Sequence, residues 1–170
     1  MKTLLVAVNS KYIHSSLAVW YLKSYCSRDI KQASGVTGPG EAIRLEVAEY
    51  TINDNLESVL GSIYLKKPDV ICFSCYIWNI EYILKLAGNI KKLIPGCIIV
   101  LGGPEVSYDA EKIMEEEPSV DFIISGEGEE TLRSLLILLS NSLTKNLNEG
   151  LDNNSNENKC GYLQRIGSIG

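Results

Sequence analysis

The run Ile98-Ile99-Val100-Leu101-Gly102-Gly103-Pro104-Glu105 reads as a buried strand that stops abruptly. Four consecutive apolar residues without polar alternation suit a strand covered on both faces, as in a parallel sheet. Gly102 and Gly103 then remove side chains where the strand ends, so the chain turns sharply or something large lies against it. Pro104 cannot donate a ladder bond and bars further strand. In an open parallel sheet, ligands bind beyond the carboxyl ends of the strands, which makes this turn a candidate binding site. A glycine-rich turn leading into a helix accounts for the same pair equally well.

The same pattern repeats on both sides of this run. Residues 3–8, 69–75, 97–101 and 120–124 are short apolar segments expected as buried strands. Ile43, Leu45 and Val47 alternate with Arg44, Glu46 and Ala48, which places a further strand nearer an edge. Between them lie helical patterns. One starts at Ser15 or Ser16 and ends near Arg28; another is capped by Asn53 or Asp54 and ends at Lys66-Lys67-Pro68. A long helix opens at Asn79 and stops before Pro95-Gly96, a short one opens at Asp109, and the last runs from about Glu129 through Leu139. Residues 31–41 hold Gly35, Gly38, Pro39 and Gly40 and read as a connection. This alternation predicts a doubly wound α/β fold: three layers, with a five-stranded parallel sheet in the flavodoxin-like order 2-1-3-4-5. Residues 1–140 form the expected domain. Residues 141–170, rich in Asn and poor in apolar residues at first, read as a linker and the start of a missing C-terminal region.

Composition narrows the function. The chain has 170 residues, enough for one sizeable core, with 45% hydrophobic and 22% charged residues. A net charge of −5 without a basic run argues against nucleic acid as a partner. No apolar run is long enough to span a bilayer, and the apolar start at residues 3–8 is too short for a signal peptide, so a cytoplasmic location is expected. Among five cysteines, Cys72 and Cys75 form a CxxC within a strand, where residues three apart face opposite sides. Buried thiols are therefore expected there, not a redox pair. With one histidine and no second CxxC, no metal ligand is assigned.

Four loops at strand ends have unusual content: residues 9–14, 74–79, 102–105 and 125–130. Tyr12, Tyr76 and Trp78 bring large amphipathic rings to one end of the sheet, where they line a pocket or pack under helices. No GxGxxG follows the first strand, and there is neither a P-loop nor a GxSxG elbow. Glu127, Glu129 and Glu130 suit the positive end of the last helix. A stand-alone enzyme acting through Glu105 or Glu127 lacks a partner for either carboxylate, so no catalytic residue is assigned.

Taken together, residues 9–18, 73–76, 101–105 and 126–129 give the chain a family resemblance. Over residues 1–140 it resembles the N-terminal cobalamin (B12)-binding domain of cobalamin-dependent radical S-adenosylmethionine enzymes. It is most similar to the family that includes the anaerobic magnesium-protoporphyrin IX monomethyl ester cyclases. The resemblance implies a cobalamin cofactor held by Asn9, Lys11, Tyr12 and His14 in the first loop and by Ser74 and Tyr76 in the second. Gly102, Gly103, Pro104 and Glu105 in the third loop and Gly126, Glu127 and Gly128 in the fourth complete the implied set.

Cobalamin-binding folds of this kind carry DxHxxG after the first strand, SxL after the third and GG after the fourth. Gly102 and Gly103 match the GG, and Ser74 matches the serine of SxL, with Tyr76 in place of its leucine. In the first motif Asn9, Lys11 and His14 replace Asp, His and Gly. Lys11 thus stands at the cobalt-ligand position, where an ammonium offers no lone pair. The resemblance implies a bound cobalamin with its benzimidazole tail displaced from cobalt and no histidine beneath the metal. It also implies a radical S-adenosylmethionine domain with a 4Fe-4S cluster in the same full-length chain. These 170 residues hold no CxxxCxxC, so this chain is expected to carry the corrin and not to be catalytic alone. The alternative is a docking module that keeps the fold without the cofactor. Gly103→Val is expected to abolish corrin uptake while leaving the fold intact.

Overall fold

In a computed structural model, residues 1–12, 15–33 and 43–149 are described. The strands are β1 (Lys2–Asn9), β2 (Arg44–Thr51), β3 (Val70–Ser74), β4 (Ile98–Gly102) and β5 (Phe122–Ile124). The helices are α1 (Leu17–Ala33), α2 (Leu56–Lys66), α3 (Ile80–Leu93), α4 (Pro104–Ser107), α5 (Ala110–Glu116) and α6 (Gly128–Glu149). The sheet is parallel throughout, in the order β2-β1-β3-β4-β5. This is the doubly wound arrangement that the strand–helix alternation predicts, with one apolar core on each side of the sheet.

The two cores follow from period-2 alternation along the strands. Leu4, Val6, Ile71, Phe73, Ile99 and Leu101 face α2, α3 and α5, packing against Val59, Ile63, Leu86 and Met114. Leu5, Ala7, Val70, Cys72, Ile98 and Val100 face α1 and α6, meeting Val19, Cys26, Leu132 and Leu136. Burying one large aliphatic side chain of this kind contributes about 1.5–3 kcal/mol. The CxxC is split between the two cores, Cys72 in one and Cys75 in the other, as strand geometry requires.

Several boundaries differ from those read in the sequence. The helix-α2 cap is Asn55, whose Oδ1 accepts from the Glu57 and Ser58 amides, and not Asn53 or Asp54. Asp54 instead accepts from the Thr51 amide and shapes the preceding turn. Helix α1 passes Arg28 and runs to Ala33, into the segment read as a connection. The rest of that connection lies outside the described residues. Strand β2 continues past Ala48 to Thr51. Helix α6 runs on to Glu149, into the Asn-rich segment read as a linker, and the remainder of that segment also lies outside the described residues. Among the described residues, no helix is long and apolar enough to cross a membrane.

Candidate functional site

At the carboxyl end of the sheet one row of residues is unusually small. Ala7 pairs with Ser74, Ser74 with Gly102, and Gly102 with Ile124. Alternation places this row on the face covered by α1 and α6. One row below stand Leu5, Cys72, Val100 and Phe122, which fill the space under the helices. With a hydroxymethyl and a hydrogen in the middle of the upper row, that filling stops. A cavity of about 180 Å³ remains. Its floor is Leu5, Cys72, Val100, Ser74 and Gly102, and its roof includes Ala18, Val19 and Leu22 of α1 and Leu132 of α6. Gly128, at the start of α6, lies against Leu22 of α1, where a Cβ would make an ordinary contact of 3.6 Å. Whole small-molecule ligands usually occupy about 300–1,000 Å³. This cavity is therefore sized for an appendage of something larger.

The rim is built by turns that need their glycines. Gly103 has φ +113°, and a Cβ there would lie 3.0 Å from the Cys75 amide nitrogen and closer still to the Cys75 carbonyl. The turn after β4 thus presses on the end of β3, where the Cys75 amide donates to Gly102 O at 2.7 Å. This corrects the expectation for Gly103→Val. Gly103 is a backbone requirement of the fold, so that variant cannot report on binding. Gly102 has no such constraint: a Cβ there would make only ordinary contacts, 3.8 Å from Ile124 O. Pro104 begins α4, and the Ser107 hydroxyl donates back to Gly103 O at 2.8 Å. Gly126 turns the chain after β5 with φ +78°.

Tyr21 and Tyr76 line the cavity. Tyr76 stacks on Trp78, with ring centroids 4.5 Å apart and planes 5° from parallel. Tyr12 and Tyr108 are each 91% exposed, and Leu17, Tyr21 and Ile77 are exposed too. A large apolar exposure gathered at strand ends marks a surface that meets a ligand or partner.

The structure gathers Ser74, Tyr76, Gly102, Gly103, Gly126 and Gly128 around one cavity. Asn9 and Tyr12 line a separate, more polar pocket of about 210 Å³ with Ser15, Glu49, Thr51 and Asp54. Lys11, Pro104, Glu105 and Glu127 line neither. His14 lies outside the described residues. Burial pushes the Cys75 thiol up to about 12, and Cys97 to about 12 for the same reason. No cluster of three metal-ligating side chains occurs among the described residues.

Two organising residues escape sequence reading. Glu49, on β2, takes the Ser16 amide at 2.7 Å, both its oxygens meet the Ser15 hydroxyl at 3.0 Å, and it receives the Trp20 indole N–H at 3.1 Å. Asn9 adds a longer contact of 3.4 Å. Burial opposes ionisation of Glu49, but these hydrogen bonds outweigh it and hold its carboxyl below the usual carboxylate range. Glu49 therefore caps α1 from strand β2 on the same face of the sheet, which anchors a helix that roofs the cavity. The available signal was its place in the β2 alternation, hidden because the strand seemed to end at Ala48. Asn79 reads as a helix cap, yet its side chain makes no cap bond and is 1% exposed.

A family model described as B12 binding domain matches residues 3–136. The chain is 31% identical over 121 residues to a 2-(S-pantetheinyl)-carbapenam-3-carboxylate methyltransferase of Streptantibioticus cattleyicolor, covering 71% of this chain and 16% of that protein. It is 40% identical over 70 residues to the cobalamin-dependent radical SAM methyltransferase TokK of Streptomyces tokunonensis, covering 41% of this chain and 10% of that protein. An anaerobic magnesium-protoporphyrin IX monomethyl ester cyclase of Synechocystis is 35% identical over 69 residues, covering 41% and 14%. The matches thus span 16% or less of these relatives' own lengths.

Proposed function

The chain belongs to the B12 binding domain family, and on that premise we propose that it holds a cobalamin at the carboxyl ends of β3, β4 and β5. The nucleotide tail enters the cavity beneath α1 and α6, and the corrin lies across the rim. One observation carries the reading: the small residues Ser74 and Gly102 open an apolar slot where neighbouring rows are filled. The slot is too small for a corrin and shaped for an appendage.

The residues fit the group. Ser74 offers a hydroxyl to the polar atoms of the tail. Gly102 and Gly103 let a broad ligand approach the strand ends without side chains in the way. Tyr76, Trp78 and Tyr12 give the corrin edge amphipathic surface and exclude water from it. Asn9, Pro104, Glu105, Gly126, Glu127 and Gly128 stand on the first, third and fourth of the loops proposed to frame it. Lys11 stands where the family motif has its ligand histidine, so the cobalt would take no imidazole from this chain. Nitrogen splitting in the Co(II) spectrum that disappears in His14→Ala would overturn that last point.

When bound, the corrin supplies a cobalt centre able to carry a methyl group. The relatives' names support a place within a radical S-adenosylmethionine enzyme. In that enzyme residues 1–140 would hold the corrin. S-adenosylmethionine and its 4Fe-4S cluster are bound outside these 170 residues. The reading is tested by comparing hydroxocobalamin with cobinamide, which lacks the nucleotide tail. Cobalamin is expected to bind at least about tenfold more tightly, about 1.4 kcal/mol. Equal affinities would remove the tail from the cavity.

A further inference from the structure

The ladder between β1 and β3 stops at Ala7 and Ser74. Beyond it β1 stays with β2, through Val8–Tyr50 and Asn9–Thr51, while β3 ends at Ser74 and only the Cys75 amide still reaches β4, at Gly102 O. The two central strands therefore part at the point where the strand order reverses. In open α/β sheets this crevice is where ligands commonly bind. Here it is filled. The Asn79 side chain, 1% exposed, sits in it and donates through Nδ2 to Val8 O at 2.9 Å and to Ser74 O at 3.0 Å. Its Oδ1 accepts from the Tyr76 amide at 2.8 Å. The opposite amide orientation would set an oxygen against two carbonyls and an NH₂ against an N–H, so the network fixes the orientation.

We infer that Asn79 is a positioning residue that stitches the β1–β3 switch point shut, directs the ligand to the β3–β5 side, and sets the cavity mouth through Ser74 and Tyr76. The inference rests on the proposed corrin site. Its geometric content stands without ligand. The amide holds the backbone at Ser74, whose side chain floors the cavity, and at Tyr76, whose ring lines the mouth and stacks on Trp78. Through Val8 O it also ties this turn to the start of the first loop.

The test uses the 170-residue chain with Asn79→Ala and Asn79→Ser. Three quantities are read: thermal unfolding, the near-ultraviolet circular dichroism of the stacked Tyr76–Trp78 pair, and hydroxocobalamin affinity with the absorption spectrum of the bound corrin. The expected result is a cooperative melt, loss of the aromatic signal in the ligand-free protein, at least tenfold weaker binding, and a shifted corrin band. A variant that keeps the aromatic signal and the wild-type affinity and spectrum overturns the inference. If neither variant folds, hydrogen exchange in the ligand-free wild-type chain decides. The Tyr76 amide and the Asn79 side-chain protons must be strongly protected, and exchange at the solvent rate overturns the inference. Wild-type protein that takes up no corrin counts against the proposed function, and the ligand-free measurements still decide the role of Asn79.

Discussion

Gly102→Val separates the cavity from the fold. Gly102 lies on the face of the sheet that floors the cavity, between Ser74 and Ile124, and its backbone is not in the positive-φ region. A new Cβ would sit 3.8 Å from Ile124 O, an ordinary contact, so the fold accepts it. Replacing a strand glycine recovers about 0.5–1 kcal/mol of backbone entropy, and valine suits a strand. The melting temperature is therefore expected to hold or to rise by up to about 4 °C. Binding goes the other way. The isopropyl group enters a space of about 180 Å³ that the tail would otherwise use. Forcing both into it costs about 1–3 kcal/mol, as overpacking does elsewhere. That corresponds to roughly five- to 150-fold weaker binding. Equilibrium titration with hydroxocobalamin, followed by absorbance, measures it beside a thermal melt. Wild-type affinity in a stable Gly102→Val protein would show that nothing of the ligand enters this cavity.

Gly103→Ala should destabilise the chain by more than about 1 kcal/mol, because the Cβ meets the Cys75 backbone at a positive φ; a urea midpoint equal to wild type would remove that constraint. Glu49 has a folded-state pKa below its ordinary 4.5, so its contribution is present above that pH and is lost as pH falls through the folded value. Glu49→Gln is expected to lower stability at pH 7 by about 1 kcal/mol, the modest end for charged hydrogen bonds given its exposure, and to flatten the acid side of the stability profile. An unchanged acid slope in melts from pH 7 to pH 3 would refute the cap. Burial keeps the Cys72, Cys75 and Cys97 thiols protonated. Iodoacetamide at pH 8 should leave all three unmodified in the folded chain and label them in denaturant. Rapid native labelling of Cys75 would contradict this.

The fold was legible because buried parallel strands have a one-dimensional signature: short apolar runs closed by Gly, Asn or Pro. Ile98–Leu101, closed by Gly102-Gly103-Pro104, shows it fully; Val70–Phe73, entered from Pro68-Asp69 and closed by Ser74, shows the apolar run, and both lie in the sheet at matching register. The turn glycines were legible as special positions, but their two roles were not. Only the distance from Gly103 to the Cys75 backbone separates a structural requirement at Gly103 from open space at Gly102. Helix caps were misplaced where several Asn and Asp residues compete, as at Asn53, Asp54 and Asn55. The choice there depends on which side chain reaches the free amides. Glu49 and Asn79 were missed for a related reason. Each acts on backbone groups distant in sequence, Ser16 for one and Val8 for the other, and no local pattern encodes those partners. The small-residue row Ala7, Ser74, Gly102 is likewise visible only once three strands are set in register.

The central claim is that this chain holds a corrin. The most direct measurement mixes the purified chain with excess hydroxocobalamin, desalts it, and determines corrin by absorbance against protein concentration. The account predicts about one corrin retained per chain. No corrin above the level carried by an unrelated protein of similar size would contradict it and leave a fold that has lost its cofactor.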